Sequence, residues 1–272
     1  MSEWNAMGHE GRDTLIRVLR EQAEASLALA EVPGVWEAPT ASAGWQVRDV
    51  VGHLVDVTEG YFTSFDVARG RAEGGTEPHG LPAMAGLLDQ RARSFRGISQ
   101  ADLTGRLRTD LARMMEIIEA IGPDEWTGLT VPHSYMGPLP AFFYPAFQLM
   151  DYTVHGWDIR QGTGRAHGID GDAADLLVPF MFVLWQATAG TGADTAPTEV
   201  GVRVSGRNGG DFRVSVGPDG LAYEPADIDR CPAVLEFDPG SFVLTVFGRG
   251  NFGTLRGDRA VAERLLNVFF RI

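Results

Sequence analysis

Apolar residues recur with helical period along the first two thirds of this 272-residue chain. The stretches 11–30, 47–70, 83–97 and 103–122 each carry an apolar face and each end in glycine or proline punctuation. Two further helices are predicted near 144–162 and 171–187. Such helices bury their apolar faces against one another, so the pattern predicts a helix bundle over residues 1–192. The segment 187–201, ATAGTGADTAPTEVG, is small and rich in glycine and threonine, which marks a junction. Beyond it the period shortens to two. VGVRVSG (200–206) and DFRVSVG (211–217) alternate as strands do, with RNGG between them as a hairpin turn. AVLEF (233–237) and SFVLTVF (241–247) are apolar runs, and GDRAVAERLLNVFFRI (257–272) reads as a closing amphipathic helix. The expected architecture is an α-helical bundle followed by a smaller α+β domain over 198–272.

One helix departs from the simple amphipathic scheme. QLMDYTVHGWDIRQGTG (148–164), together with the preceding AFFYPAF, is apolar around most of its circumference, yet Gln148, Asp151, His155 and Asp158 recur at spacings of three, four and three. These four residues share one stripe, and a polar stripe on an otherwise oily helix predicts an inward-facing group of polar side chains rather than a solvent face. Asp151 and His155 are neighbours one turn apart, a spacing that suits a shared ligand and equally suits a histidine bonded within its own helix. In GWQVRDVVGHLVDVTEGYF, His53 sits at the edge of the apolar stripe formed by Trp45, Val47, Val50, Val51, Leu54 and Tyr61, where it can look into the bundle seam. His53, Asp151 and His155 together offer two imidazoles and a carboxylate, the donor set of a divalent cation that keeps one coordination position open. Asp158 can orient an imidazole N–H or bond to Arg160 or solvent, and Gln148 can serve substrate or the surroundings of the cation. The aromatic loop 125–143 predicts a pocket mouth with Trp126, His133 and Tyr135 on it, and Arg91 of DQRARSFRG is a candidate clamp for an anionic substrate. The alternative for those loop aromatics is a plug in a domain seam.

Composition narrows the chemistry. The net charge of -13 opposes nucleic acid and anionic membranes as partners, and leaves small molecules. All 23 basic residues are arginine, so lysine chemistry is excluded. Cys231 is the single cysteine, which excludes an internal disulfide and suits a reducing compartment. The N-terminal residues lack the basic-then-apolar pattern of a leader, and a cytoplasmic monomer or homodimer is expected. GRGNFG (248–253) has dinucleotide-loop spacing but lacks the required context and is read as a turn.

The pair of motifs GWQVRDVVGHL and DYTVHGWDIRQGTG, about a hundred residues apart, resembles the mycothiol-dependent maleylpyruvate isomerase family of DinB-like metalloenzymes. The segments FDPGSFVLTVFGRG and TLRGDRAVAERLLNVF resemble the sterol-carrier-like domain that accompanies the bundle in that family. The resemblance implies a DinB-like four-helix bundle that binds a divalent metal, most often zinc, through His53, Asp151 and His155. It further implies mycothiol as co-substrate and a small electrophile as the group that is isomerised or transferred to sulfur. The family pattern has glutamate where this chain has Asp151, and the apolar AFFYPAF before it suits a larger, less charged substrate than maleylpyruvate. Two other readings fit the same residues: a metal-dependent hydrolase, lyase or cyclase that uses no thiol, and a non-catalytic carrier of apolar ligands.

Overall fold

A computed structural model of the chain describes residues 3–74, 77–192 and 195–268. It resolves into two compact units, Met1–Gly168 and Ile169–Ile272.

The first unit is built on α1 (Arg12–Ala30), α2 (Val47–Ala68), α4 (Gln100–Glu119) and α6 (Phe143–Gly162), with α3 (Leu81–Ser94) alongside α2 and a short α5 (Pro123–Gly128). Local chemistry sets each boundary. Ser99 caps α4 by accepting from the Asp102 N–H, and Pro145 falls in the first turn of α6, where no helical N–H is needed. At the start of α2, Asp49 closes a capping box with Gln46 and takes two 2.7 Å hydrogen bonds from Arg96, although it is fully buried. Close approach fastens α6 to its neighbours. A Cβ on Gly156 would meet Ser26 Oγ at 2.6 Å, and that hydroxyl donates to the Tyr152 carbonyl. A Cβ on Gly162 would meet the Pro39 carbonyl at 2.0 Å, so the loop between α1 and α2 lies directly on the end of α6. Between α5 and α6 the two-residue strands β1 (Thr130–Val131) and β2 (Leu139–Pro140) pair antiparallel and hold the loop that carries His133 and Tyr135.

The second unit contains α7 (Gly171–Thr188) and five strands: β3 (Thr198–Val204), β4 (Gly210–Gly217), β5 (Gly220–Pro225), β6 (Ala233–Phe237) and β7 (Thr254–Gly257). Their order is β5-β4-β3-β6-β7, with β3 and β6 parallel and every other neighbour antiparallel. The β3–β4 hairpin turns through 205–209, as RNGG predicts, with Gly206 at φ 91°. The apolar run 241–247 lies largely in α8 (Pro239–Val246), and α9 (Arg259–Leu266) is the closing helix. The last four residues of the predicted closing helix, 269–272, and residues 193 and 194 of the predicted junction lie outside the described residues.

The boundary differs from the sequence expectation. Residues 171–187 were expected to join the bundle, but α7 packs in the second unit, where Phe182 lies 4.5 Å from Phe212, 4.9 Å from Tyr223 and 4.6 Å from Phe242 between ring centroids. Helical period reveals an apolar face and not which partner covers it. Pro179 lies inside this helix and cannot donate to the Asp175 carbonyl four residues back; Asn208 Nδ2 donates to that carbonyl instead, at 2.7 Å. GRGNFG falls between a helix and a strand, the reverse of the strand-then-helix setting a dinucleotide loop needs. Among the described residues no helix is long and apolar enough to cross a membrane.

Candidate metal centre

Seventeen residues of α6, Phe143 through Ile159, are buried, so Gln148, Asp151, His155 and Asp158 are interior groups. Asp151 and His155, one turn apart, meet His53 of α2. One ligand atom from each of the three lies within 4.8 Å of the others. The two imidazoles stand edge to face with centroids 5.0 Å apart. His155 Nδ1 lies 2.9 Å from Asp158 Oδ2, a carboxylate with no solvent exposure. With its proton on Nδ1 the ring would donate to Asp158 and turn Nε2 to a cation, the arrangement by which an outer carboxylate orients a metal-binding imidazole. Two nitrogens and a carboxylate oxygen, buried and clustered, fit a divalent cation of the zinc type.

The sequence did not single out Trp45 as part of this centre. Its indole stacks on His155 at 5.8 Å and tilts against His53 at 5.2 Å. Trp45 Nε1–H donates to Asp89 Oδ1 of α3 at 2.9 Å, and Arg93 Nε–H donates to the same oxygen at 2.7 Å. The Arg93 hydrogen bond, aided by that of Trp45, holds the Asp89 carboxyl below its usual range against the pull of burial. The indole, held at Nε1 by Asp89, therefore packs on both imidazoles. The signal was in the sequence, since a tryptophan in an apolar stripe needs a partner for its N–H, but nothing in the sequence identified Asp89.

The other expected site residues are distributed unevenly. Gln148 is fully buried and its amide lies 3.2–3.3 Å from the Thr58 hydroxyl, so it bridges α6 to α2. His133 contacts Phe147 at 5.4 Å and Tyr135 at 5.9 Å, one turn before Asp151 on α6. Tyr135 is buried. Arg91 lies 3.8 Å from Asp56 and is half exposed. Trp126, expected at the pocket mouth, is instead fully buried; it donates from Nε1 to the Met7 carbonyl and packs edge-on to His9. Its N-terminal partner is more than a hundred residues away, so the aromatic loop alone could not reveal that it faces the core.

Fold and site together define a DinB-like helix bundle with an interior His/Asp/His cluster, followed by an α+β unit. The mycothiol maleylpyruvate isomerase N-terminal domain model matches residues 18–160, just over half the chain, and the chain belongs to that family. A crystal structure of the mycothiol-dependent maleylpyruvate isomerase is similar at TM-score 0.59 and 13% identity, covering 89% of this chain and 91% of that one. A histidine-to-alanine mutant of that isomerase is similar at TM-score 0.58 and 13% identity, with the same coverage. Identity this low shows a shared fold. A search of curated proteins finds no sequence match.

Proposed function

We propose that the chain is a cytoplasmic, divalent-metal-dependent enzyme that uses a low-molecular-weight thiol, mycothiol, to transfer to or isomerise a small electrophile. The observation that carries this reading is the buried cluster of His53, Asp151 and His155 on two facing helices. Family membership supports the thiol. When bound, a divalent cation at this cluster, zinc by the nitrogen and oxygen donors, supplies the positive charge that favours a thiolate over a thiol at neutral pH.

The chain's own residues prepare that chemistry. Asp151 contributes a negative charge and the two histidines neutral lone pairs, which leaves a divalent site one net positive charge. Asp158 fixes the tautomer and tilt of His155, and Trp45 excludes water from the faces of both imidazoles. Gln148 and Thr58 tie together the helices that carry the donors. His133 packs on Phe147, one turn before Asp151 on α6, and Tyr135 packs on His133.

Elemental analysis of the purified protein, together with calorimetric titration of mycothiol, tests the proposal. One zinc or equivalent cation per chain, with mycothiol binding that disappears on chelation, is the expected result. In His155→Ala both should be lost while helix content is retained. Stoichiometric metal without thiol affinity would favour a hydrolase or lyase instead, and absence of any bound metal overturns the reading.

A further inference from the structure

The stripe of α6 that contains Asp151 continues toward the helix N-terminus through Phe147 and Phe143. Asp151, Phe147 and Phe143 keep 7%, 6% and 7% of their surface open, whereas Tyr144, two turns before Asp151 and packed on Tyr61 and beside His133, keeps none. Asp151 therefore keeps a small opening to solvent. Tyr61 of α2 faces it: its ring lies 6.5 Å from His133, and the negative charge that bears on its hydroxyl is that of Asp151. The polar groups here are uncharged. His133 Nδ1 accepts the backbone N–H groups of Tyr135 and Met136 at 3.3 and 3.1 Å, which puts the ring proton on Nε2, and burial lowers its pKa to about 4. His133 is thus a neutral donor at physiological pH. The Tyr135 hydroxyl is buried and has no hydrogen-bond partner among the described residues, an arrangement that costs free energy unless a ligand completes it. The basic group that bears on Tyr135 is Arg91, whose charge is already answered by Asp56.

We propose that this crevice, walled by Tyr61, Phe143 and Phe147 and furnished with the His133 Nε2–H and Tyr135 O–H donors, selects an uncharged aryl carbonyl compound as the electrophile. The proposal rests on the cluster being the reaction centre, as proposed above. The rings offer edges and faces to an aryl group, and the neutral donors suit a carbonyl oxygen. Away from the metal itself, a dicarboxylate entering here would be desolvated beside Asp151 and Asp56, and Arg91, the basic group that bears on Tyr135, is already paired with Asp56.

The test is calorimetric titration of the zinc-loaded and the chelator-stripped protein with acetophenone, an uncharged aryl ketone, and with maleate, a dicarboxylate. Acetophenone is expected to bind both forms, and maleate is expected not to bind the stripped form. Tyr135→Phe keeps the ring and should weaken acetophenone binding about fivefold, the loss of one neutral hydrogen bond. His133→Phe should weaken it comparably. No acetophenone binding, maleate binding to the stripped protein as tightly as acetophenone, or unchanged acetophenone affinity in both variants overturns the inference. If zinc fails to bind while acetophenone binding persists and depends on Tyr135, the metal reading falls and the ligand class stands. Zinc at one per chain with preferential maleate binding to the stripped form overturns the ligand class alone.

Discussion

Helix α6 is almost wholly buried and α7 buries ten of its eighteen residues, yet they use burial differently. In α7 the carboxylates sit near the N-terminal end and are spent on structure. Asp170 caps the helix by accepting from Asp172 and Ala173, and Asp175 accepts the Arg207 N–H; the remainder is apolar and packs on rings of the second unit. In α6 the polar groups fall mid-helix, where no cap or turn calls for them, and two converge with a histidine of another helix. Polarity at the end of a buried helix satisfies backbone. Polarity in its middle needs another explanation, and a cation is the one that fits this donor set.

The largest expected effect is on that donor set. Asp151→Asn keeps the shape and removes the charge, and zinc affinity should fall by more than the roughly 100-fold that bounds an outer partner of a ligand. Competition with a chromophoric chelator measures this, and unchanged affinity would reduce α6 to a structural helix like α7. Breaking the other side of the comparison, Phe182→Ala should lower stability by about 3 kcal/mol through loss of a buried ring while leaving zinc stoichiometry intact. Denaturant unfolding monitored alongside metal content separates the two, and joint loss would mean that the helices do not act independently. A smaller effect sharpens the role of Asp158: Asp158→Ala should weaken zinc about 10-fold to 100-fold, with bound metal still detectable at saturating zinc. Complete loss would make it a ligand, and no loss would make the contact with His155 incidental.

The smallest effect concerns a carboxylate that is half-buried without serving the cluster. Burial, and then the neighbouring charge of Glu59, raise the Asp110 pKa to about 6. A carboxyl raised on folding stabilises the protein below the unfolded pKa near 4, and that contribution is lost as pH rises through 6. Asp110→Asn should therefore be more stable than the parent by up to about 1 kcal/mol at pH 8, after discounting for solvent access. At pH 4 the advantage should vanish. A gain independent of pH, measured by urea unfolding at both values, would remove titration from the account.

The sequence by itself determined the helical first part and the strand-rich second, because period 3.6 and period 2 are local properties of the chain. It also determined the stripe Gln148, Asp151, His155 and Asp158, because positions three and four apart on a helix share a face whatever lies opposite. The edge position of His53 was legible for the same reason. Tertiary structure decided everything that depends on which surfaces meet. It decided that α7 packs on the sheet, that Trp126 turns to the N-terminal segment, that Trp45 is held over both imidazoles by Asp89, and that Gln148 is occupied by Thr58. Each of these joins residues from separate elements. A one-dimensional pattern shows that a side chain needs a partner, and only packing in three dimensions chooses the partner.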